Sequence, residues 1–215
     1  MPSALCNNVD LIMNESTHIE HRDYLGAKLG MWLFLFTEIL LFGGMFLLYA
    51  VYREVNSADF HEAGREMSVT IGAINTTILL TSSLTIVLAI NAIKNGQKTR
   101  SILFQAITII LGLVFLGNKY VEWTDHIRHG FYPNSPELLA MGHGKILFFG
   151  LYYVMTGIHG LHVLIGMSVI GFVMALTIRG TVSSTDYIKL ENTALFWHLV
   201  DVIWIYLFPL FYLIT

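Results

Sequence analysis

The stretch "ILFFGLYYVMTGIHGLHVLIGMSVIGFVMALTI", from Ile146 to Ile178, runs for 33 residues without an Asp, Glu, Lys or Arg. An α-helix needs about 20 apolar residues to cross the hydrocarbon core of a bilayer. The stretch is therefore too long for one upright span and too short for two spans joined by a turn. It predicts a single long helix that is tilted and extends beyond the lipid.

Four further apolar stretches are long enough to cross a membrane: about Leu29–Tyr52, Val69–Ile93, Ser101–Val121 and Thr193–Ile214. The chain has 215 residues, of which 55% are hydrophobic and 13% charged, whereas about a quarter of the residues of a soluble domain are charged. These features predict an all-α membrane bundle of five transmembrane helices, a single domain over residues 29–215 that follows a polar arm at 1–28. The sequence shows no internal repeat, which weakens a secondary transporter built from two inverted halves.

Composition also limits the possible sites and partners. Cys6 is the single cysteine, which excludes an intrachain disulfide, an all-cysteine metal site and a Cys-x-x-Cys-His haem attachment. The net charge of −3 comes with no basic stripe, so a nucleic-acid partner has no electrostatic support. The first 24 residues lack the basic and apolar regions of a secretory signal peptide.

The loops indicate an orientation, because Lys and Arg are enriched on the cytoplasmic side of membrane proteins. Seven basic residues fall on the side of the N-terminus: Arg22, Lys28, Lys94, Lys98, Arg100, Arg179 and Lys189. The opposite side has Arg53, Arg65, Arg128 and Lys145, with Lys119 added if its side chain reaches the interface. The bias favours a cytoplasmic N-terminus and an external C-terminus.

Small and hydroxylated side chains recur on two of the spans: Asn75, Thr77, Thr81, Ser82 and Thr85 on the second, and Gly150, Gly157 and Gly160 on the fourth. Such residues let transmembrane helices approach closely and form hydrogen bonds across their contact. We interpret both groups as helix-packing surfaces.

Glu38 lies near the centre of the first span, in "FTEILLF". A charge at this depth costs about 2.5–3.5 kcal/mol on insertion scales, so the side chain is expected to face protein or water. Two interpretations remain open. Glu38 is either a proton-active or interface carboxyl, or a protonated carboxyl that donates a hydrogen bond to a neighbouring helix.

Two pairs with a spacing of three lie on the last two spans: His159 with His162, and His198 with Asp201. Residues three apart share a helix face, so each pair can act as a unit. Three imidazoles and a carboxylate are sufficient for a metal site, and one His from each of two helices can bind a b-type haem. The alternatives are a hydrogen-bonded network that joins the two helices, and a proton path. The glycines around His159 favour close helix contact over a haem cavity.

Lys119 and Glu122 stand at the end of the third span, in "GNKYVEW". Long charged side chains near the end of a span can reach the aqueous interface. The pair is therefore predicted to be an interfacial ion pair that anchors the helix at the membrane surface.

Taken together, these motifs resemble subunit III of the haem-copper respiratory oxidases, the family of cytochrome c and quinol oxidases. The resemblance is carried by five segments in the family's order: "TEILLF" around Glu38, "INTTILLTSS" (74–83), "KYVEW" (119–123), "TGIHGLHVLIG" (156–166) and "WHLVDVIWIY" (197–206). It extends from about Gly26 to the C-terminus. The chain is similar to the short bacterial form with five helices, since the two additional N-terminal spans of the longer form are missing.

The resemblance implies a non-catalytic subunit of a terminal oxidase that reduces O2 to water and translocates protons. It implies that this chain holds no haem, copper or other metal, that the haem and copper reside in partner subunits, and that phospholipid is bound. The expected partners are subunit I in direct contact, subunit II, small subunits or a larger respiratory assembly, and membrane lipids. The expected location is the bacterial cytoplasmic (inner) membrane. Glu38 matches the family's buried carboxyl in the span facing subunit I, whereas His159, His162, His198 and Asp201 match internal contacts.

Two other functions are compatible with the residue pattern. A short branch of the same family accompanies nitric oxide reductase as an accessory subunit, and the spacing does not separate that role from one in an oxygen-reducing complex. A membrane anchor that binds haem b belongs to a different class, and an absorption spectrum of the isolated chain would distinguish it. The spacing also leaves the electron donor, cytochrome c or quinol, undetermined.

Overall fold

The computed structural model describes residues 24–133 and 135–214. In this part of the chain the secondary structure is helical and no β-strand is present. The five long helices are α1 (Tyr24–Val55), α3 (Val69–Lys94), α4 (Lys98–Arg128), α6 (His143–Arg179) and α7 (Ile188–Tyr212), and the two short ones are α2 (Ser57–Gly64) and α5 (Pro136–Ala140). All five long helices have the length and apolar composition of membrane spans. The predicted fold class and number of spans are confirmed.

Several helices extend beyond the predicted spans; the last one, for example, begins at Ile188 instead of Thr193. The helix of the first span begins at Tyr24, four residues before the predicted end of the polar arm. The helix of the third span continues past Val121 to Arg128, because the charged residues that end the apolar run still favour a helix, and basic side chains in a last turn suit the helix dipole. Residues 1–23 of the predicted arm, with Cys6, lie outside the described residues.

Four of the long helices form a ring in which α3 packs on α4, α4 on α6, α6 on α7, and α7 on α3. Helix α1 lies outside this ring and packs on both α6 and α7. Much of α1 is consequently exposed, while α7 is the most buried of the five spans. The position of α7 between α3, α6 and α1 makes it the central element of the bundle.

Glycine allows the closest helix approaches, but mostly not at the positions predicted from the sequence. A Cβ at Gly166 would lie 2.8 Å from Cε3 of Trp197, and one at Gly157 would lie 3.2 Å from Cη2 of Trp123. At Gly150 there is nothing within 4 Å. The prediction of a packing face is confirmed at Gly157 and at Gly160, where a Cβ would lie 3.8 Å from Cδ2 of Leu116. It is wrong at Gly150, because the sequence pattern does not reveal where the large side chains of the neighbouring helices lie.

Of the hydroxyl groups predicted to form a packing surface on α3, some lie at a helix contact and others do not. Thr85 bonds Thr108 of α4 at 2.7 Å, and Ser82 accepts a hydrogen bond of 2.9 Å from Nε1 of Trp197 on α7. Thr77 and Thr81 are exposed and donate to carbonyls of their own helix. Positions four apart rotate by about 40° around a helix, so a stripe that starts on the lipid side at Thr77 reaches the helix contact only at Thr85.

Candidate functional site

Glu38 is partnered across the bundle by a histidine. Oε2 of Glu38 on α1 lies 2.9 Å from Nε2 of His162 on α6, and the two side chains are 15% and 12% exposed. Nδ1 of His162 lies 2.8 Å from the carbonyl oxygen of Ile158, which can only accept. Nδ1 therefore donates, and a single proton is shared between Nε2 and the carboxyl oxygen. The pair is either an imidazolium with a carboxylate or a neutral imidazole with a carboxylic acid.

Aromatic rings close this contact on two sides. Phe42 meets the His162 ring edge-on at a centroid distance of 5.3 Å, and Phe196 of α7 lies at 6.3 Å. Glu38 thus faces protein, as predicted from the cost of exposing it to lipid. The prediction that His162 belongs to a network with His198 and Asp201 is wrong, because the side chain of His162 points to α1 and not to α7.

His159 lies in a different environment, although it is on the same helix. Its side chain is buried, and neither ring nitrogen has a hydrogen-bond partner among the described residues. Phe115 meets the ring edge-on at 5.6 Å, and Trp204 lies against it at 5.3 Å. In this position the imidazole packs as an aromatic ring between α4 and α7.

His198 and Asp201 contact α3 and do not form an ion pair with each other. Nδ1 of His198 lies 2.7 Å from the hydroxyl of Ser83. Asp201 is buried, and neither of its oxygens makes a hydrogen bond within the described part of the chain, although the Ser83 hydroxyl lies beside the carboxyl. The prediction of a contact between His198 and Asp201 is therefore wrong. A spacing of three permits such a contact, but the imidazole of His198 forms its hydrogen bond with Ser83 instead.

These four residues do not converge on one point. His162 bonds α1, His159 packs between two aromatic rings, and His198 bonds α3. Within residues 24–133 and 135–214 no group of three His, Cys, Asp or Glu side chains is arranged to hold a metal ion. The spacing that made a combined ligand set conceivable does not bring these side chains together in space.

The Lys119–Glu122 pair is not at the surface, which corrects the prediction of an interfacial anchor. The two residues are 7% and 4% exposed, and Nζ of Lys119 lies 3.1 Å from Oε2 of Glu122. Because α4 continues to Arg128, both side chains still lie within the bundle. The predicted ion pair is present, and its side chains are buried among the helices instead of reaching the surface of the bundle.

Two tyrosines complete this buried cluster, which we call the Lys119 cluster and define as Lys119, Glu122, Tyr152 and Tyr212. Nζ of Lys119 donates to the hydroxyls of Tyr152 at 2.9 Å and Tyr212 at 3.0 Å. The same hydroxyls donate to Oε1 of Glu122, that of Tyr152 at 2.6 Å. Each charge is thus surrounded by hydrogen-bonding groups, which offsets the loss of water. The cluster joins α4, α6 and α7.

Sequence reasoning missed Tyr152, Tyr212 and Ser83 as members of polar contacts. Each is separated by many positions from its partner: Tyr212 lies 93 residues from Lys119, and Ser83 lies 115 residues from His198. An unpaired charge inside an apolar run was the available signal. It predicts that partners exist, but no local pattern identifies them.

Ion pairs also join the helices at both ends of the bundle. At one end Glu191 of α7 binds Lys94 of α3 at 2.8 Å and Lys28 of α1 at 3.2 Å. At the other end the short helix α2 is tied to the start of α6, where Glu62 binds Lys145 at 2.7 Å. The hydrogen bond from Lys145 is the main cause that lowers the pKa of Glu62 from its ordinary value of 4.5.

Comparison with known proteins gives a consistent result. The family model described as "Cytochrome c oxidase subunit III" matches residues 7–215. The chain is 34% identical over 199 residues to "Cytochrome c oxidase subunit 3" of Thermostichus vulcanus, covering 91% of this chain and 90% of that protein. It is 34% identical over 187 residues to the protein of the same name from Bacillus subtilis, covering 86% and 84%. It is 30% identical over 185 residues to "Cytochrome bo(3) ubiquinol oxidase subunit 3" of Pseudomonas aeruginosa, covering 86% and 83%.

Proposed function

The chain belongs to the cytochrome c oxidase subunit III family, and from this premise we propose that it is the non-catalytic subunit III of a terminal oxidase that reduces O2 to water with proton translocation. The observation that carries the proposal is the family match over residues 7–215, which includes all five spans. Relatives of similar identity are named for cytochrome c oxidase and for ubiquinol oxidase. The electron donor is accordingly recognised by another subunit.

The chain's contribution is structural, and its intramembrane polar residues act as contacts between helices. Glu38–His162 joins α1 to α6, Ser83–His198 joins α3 to α7, and the Lys119 cluster joins α4, α6 and α7. The haem and copper of the complex reside in the partner subunits. Both ring nitrogens of His162 are engaged in hydrogen bonds, which supports a bridging role and argues against metal ligation by this residue.

Glu38 supports proton uptake at the contact with subunit I. It lies within the most exposed span, it shares a proton with His162, and the pair remains partly accessible at the α1–α6 contact. A titratable pair at the edge of the bundle can deliver or accept a proton without a change in the helix packing. The helix α1 that carries it is the side of this chain that faces the catalytic subunit.

Phospholipid binds in the groove between α1 and α7. The groove is a cavity of about 370 Å³ with an apolar lining contributed by both helices, among them Phe42, Phe46, Leu199 and Tyr206. Its length lies along the spans and its lining suits an acyl chain. Lipid held there fills the space beside α1, which has few contacts with the rest of the chain.

The complex is located in the bacterial cytoplasmic membrane, with the N-terminus of this chain inside. The Lys and Arg distribution supports this orientation. Because Lys119 is buried in the bundle, it does not add to the basic residues of the outer loops, which are Arg53, Arg65, Arg128 and Lys145. The bias toward the N-terminal side is therefore stronger than the sequence alone indicates.

Purification through an affinity tag on this chain tests the proposal. Membranes solubilised in a mild detergent should yield haem- and copper-containing subunits together with the tagged chain, and the preparation should consume O2. After denaturing separation, the chain itself should show no haem absorbance. Purification of the chain without other subunits, or haem retained on the separated chain, would overturn the proposal. Reduction of NO in place of O2 would assign the chain to a nitric oxide reductase complex.

A further inference from the structure

One ring nitrogen of His198 is left without a partner on the surface of the bundle. Nδ1 is 2.7 Å from the hydroxyl of Ser83, whereas Nε2 makes no hydrogen bond to a described residue and is not enclosed by the chain. His198 lies seven residues after Glu191, and its partner Ser83 lies eleven residues before Lys94, the two residues that form an ion pair at one end of the bundle. At 1.5 Å per residue these separations are about 10 Å and about 16 Å along the helix axes. Nε2 therefore lies within the apolar part of the spans.

A second unsatisfied group lies one turn away. Asp201 is 3% exposed, and both of its oxygens lack a hydrogen bond within the described part of the chain. The Ser83 hydroxyl that bonds His198 also lies beside the Asp201 carboxyl. We refer to Ser83, His198 and Asp201 as the polar island, because it has more hydrogen-bonding capacity than the chain itself satisfies.

The surface around the polar island is apolar and exposed. Ile205 follows His198 by seven positions and so lies on the same face of α7, with an exposure of 42%. Leu80 and Val87 flank Ser83 in the same way on α3, with exposures of 49% and 45%. The α3–α7 face is thus a ridge of aliphatic side chains with one hydrogen-bonding nitrogen near its centre.

A nitrogen in this position cannot be satisfied by the bilayer. The hydrocarbon core contains no water, and a polar group that meets lipid there without a hydrogen bond is costly. Acyl chains match the aliphatic ridge but offer no donor or acceptor, and the lipid headgroups lie on the order of 10 Å away at this depth. The bonding group must come from protein.

We propose that the α3–α7 face binds a transmembrane helix of another oxidase subunit, and that this helix presents a hydrogen-bonding side chain to Nε2 of His198. The proposal rests on the proposed function, which supplies partner subunits within the membrane. The ridge carries no charged side chain, so the complementary helix is apolar with a single neutral polar residue (Ser, Thr, Asn, Gln or Tyr) at the depth of His198. Small polar contacts of this kind are typical of transmembrane helix packing.

A photoreactive amino acid at Ile205 in the assembled complex tests the location of the contact. We expect irradiation to produce a covalent adduct between this chain and a different subunit, identified by mass and peptide sequencing. The matched control is Phe172 of α6, which is 66% exposed and lies on another helix. It should give no adduct with that subunit. An adduct between two copies of this chain, or with lipid only, would overturn the proposal.

Substitutions in the polar island test the hydrogen bond. His198→Phe should weaken retention of this chain during detergent extraction by about 3- to 18-fold, the range for one interhelical hydrogen bond in a membrane protein. His198→Gln keeps a polar group at this position and should restore much of the retention. Ser168→Ala is the control, since that exposed hydroxyl bonds only the Leu164 carbonyl of its own helix.

Two outcomes separate this inference from the proposed function. Wild-type retention of His198→Phe, or no difference between His198→Phe and His198→Gln, would overturn the inference while the oxidase assignment stands. Failure of the unaltered chain to purify with other subunits would overturn the proposed function itself. The Ile205 probe leaves the polar island intact, so a folding defect in His198→Phe does not affect the crosslinking result.

Discussion

A lysine inside a transmembrane helix is tolerated when other groups replace its hydration, and Lys119 has three such groups. Glu122, Tyr152 and Tyr212 all lie within 3.1 Å of its Nζ. A buried ion pair contributes little relative to well-packed apolar residues, but removal of one partner leaves an uncompensated charge. The cluster is therefore more sensitive to single substitutions than to paired ones.

Lys119→Met should lower the free energy of unfolding by about 3–5 kcal/mol, because it leaves Glu122 buried without a cation. Adding Glu122→Gln to this variant should recover part of the loss, since the amide oxygen still accepts from the tyrosines and no charge remains. Denaturant unfolding in detergent micelles measures both effects. The control is Lys94→Met, which removes one exposed ion pair with Glu191 and should cost about 0–1 kcal/mol. Equal losses for Lys119→Met and the double variant would contradict this account.

Gly166 is a second position where one atom decides the packing. A Cβ there would lie 2.8 Å and 3.0 Å from two carbons of the Trp197 ring, which is fully buried. Gly166→Ala should therefore destabilise the chain by about 1–3 kcal/mol through overpacking. Gly43→Ala, where nothing lies within 4 Å, should instead stabilise α1 by about 0.5–1 kcal/mol through helix propensity. Thermal unfolding of the two variants should shift the midpoint in opposite directions, and a shift in the same direction would refute the argument.

At the level of the elements, the short helix α2 depends on contacts with the start of α6. Glu62 binds Lys145 at 2.7 Å, and the carboxylate of Asp59 accepts from the backbone N–H of Gly144 at 3.1 Å. An anion at a helix N-terminus is favoured by the helix dipole. The Glu62–Lys145 ion pair requires an ionised carboxylate, so the attachment of α2 is expected to respond to acid.

The pKa of Glu62 is lowered from 4.5, mainly by the hydrogen bond from Lys145. A group with a depressed pKa in the folded state stabilises it above the unfolded pKa, and the contribution is lost as the pH falls through the folded value. Amides of α2 should therefore lose hydrogen-exchange protection below about pH 4.5, after correction for intrinsic exchange rates. Glu62→Gln should lack this component of the pH dependence. Protection that rises with acid, or that changes equally in Glu62→Gln, would disprove the role of the ion pair.

The elements were predictable from the sequence to the extent that their signal is local. A run such as 146–178 specifies a span through its own composition, and α6 occupies His143–Arg179 as expected. The end of α4 was not predictable from hydropathy, because Glu122–Arg128 is charged and still helical. Hydropathy reports where the lipid begins, whereas the helix continues as long as its backbone hydrogen bonds are favourable.

At the level of the whole molecule, the identity of each polar partner depends on the arrangement of the helices. Glu38 was expected to face protein because lipid exposure is costly, and this much follows from its position in the span. Its partner His162 is 124 residues away, and the choice between His159 and His162 depends on which side of α6 faces α1. That choice is determined by the packing of α1 outside the ring of four helices, which no local pattern encodes.

The Glu38–His162 pair yields a prediction for the whole complex. Glu38→Gln keeps a hydrogen-bonding group near His162 but cannot titrate, so it should lower oxidase turnover or proton pumping while the chain remains in the complex. Glu38→Leu removes the hydrogen bond as well and leaves the imidazole partly buried without a partner. It should therefore lower the free energy of unfolding by about 1–3 kcal/mol more than Glu38→Gln does. O2 consumption, proton release by reconstituted vesicles and the amount of this chain in the purified complex are the three measurements. Wild-type values of all three measurements for Glu38→Gln would show that titration of this carboxyl has no function. If the chain were then lost from the purified complex only in Glu38→Leu, the Glu38–His162 pair would have a role in assembly.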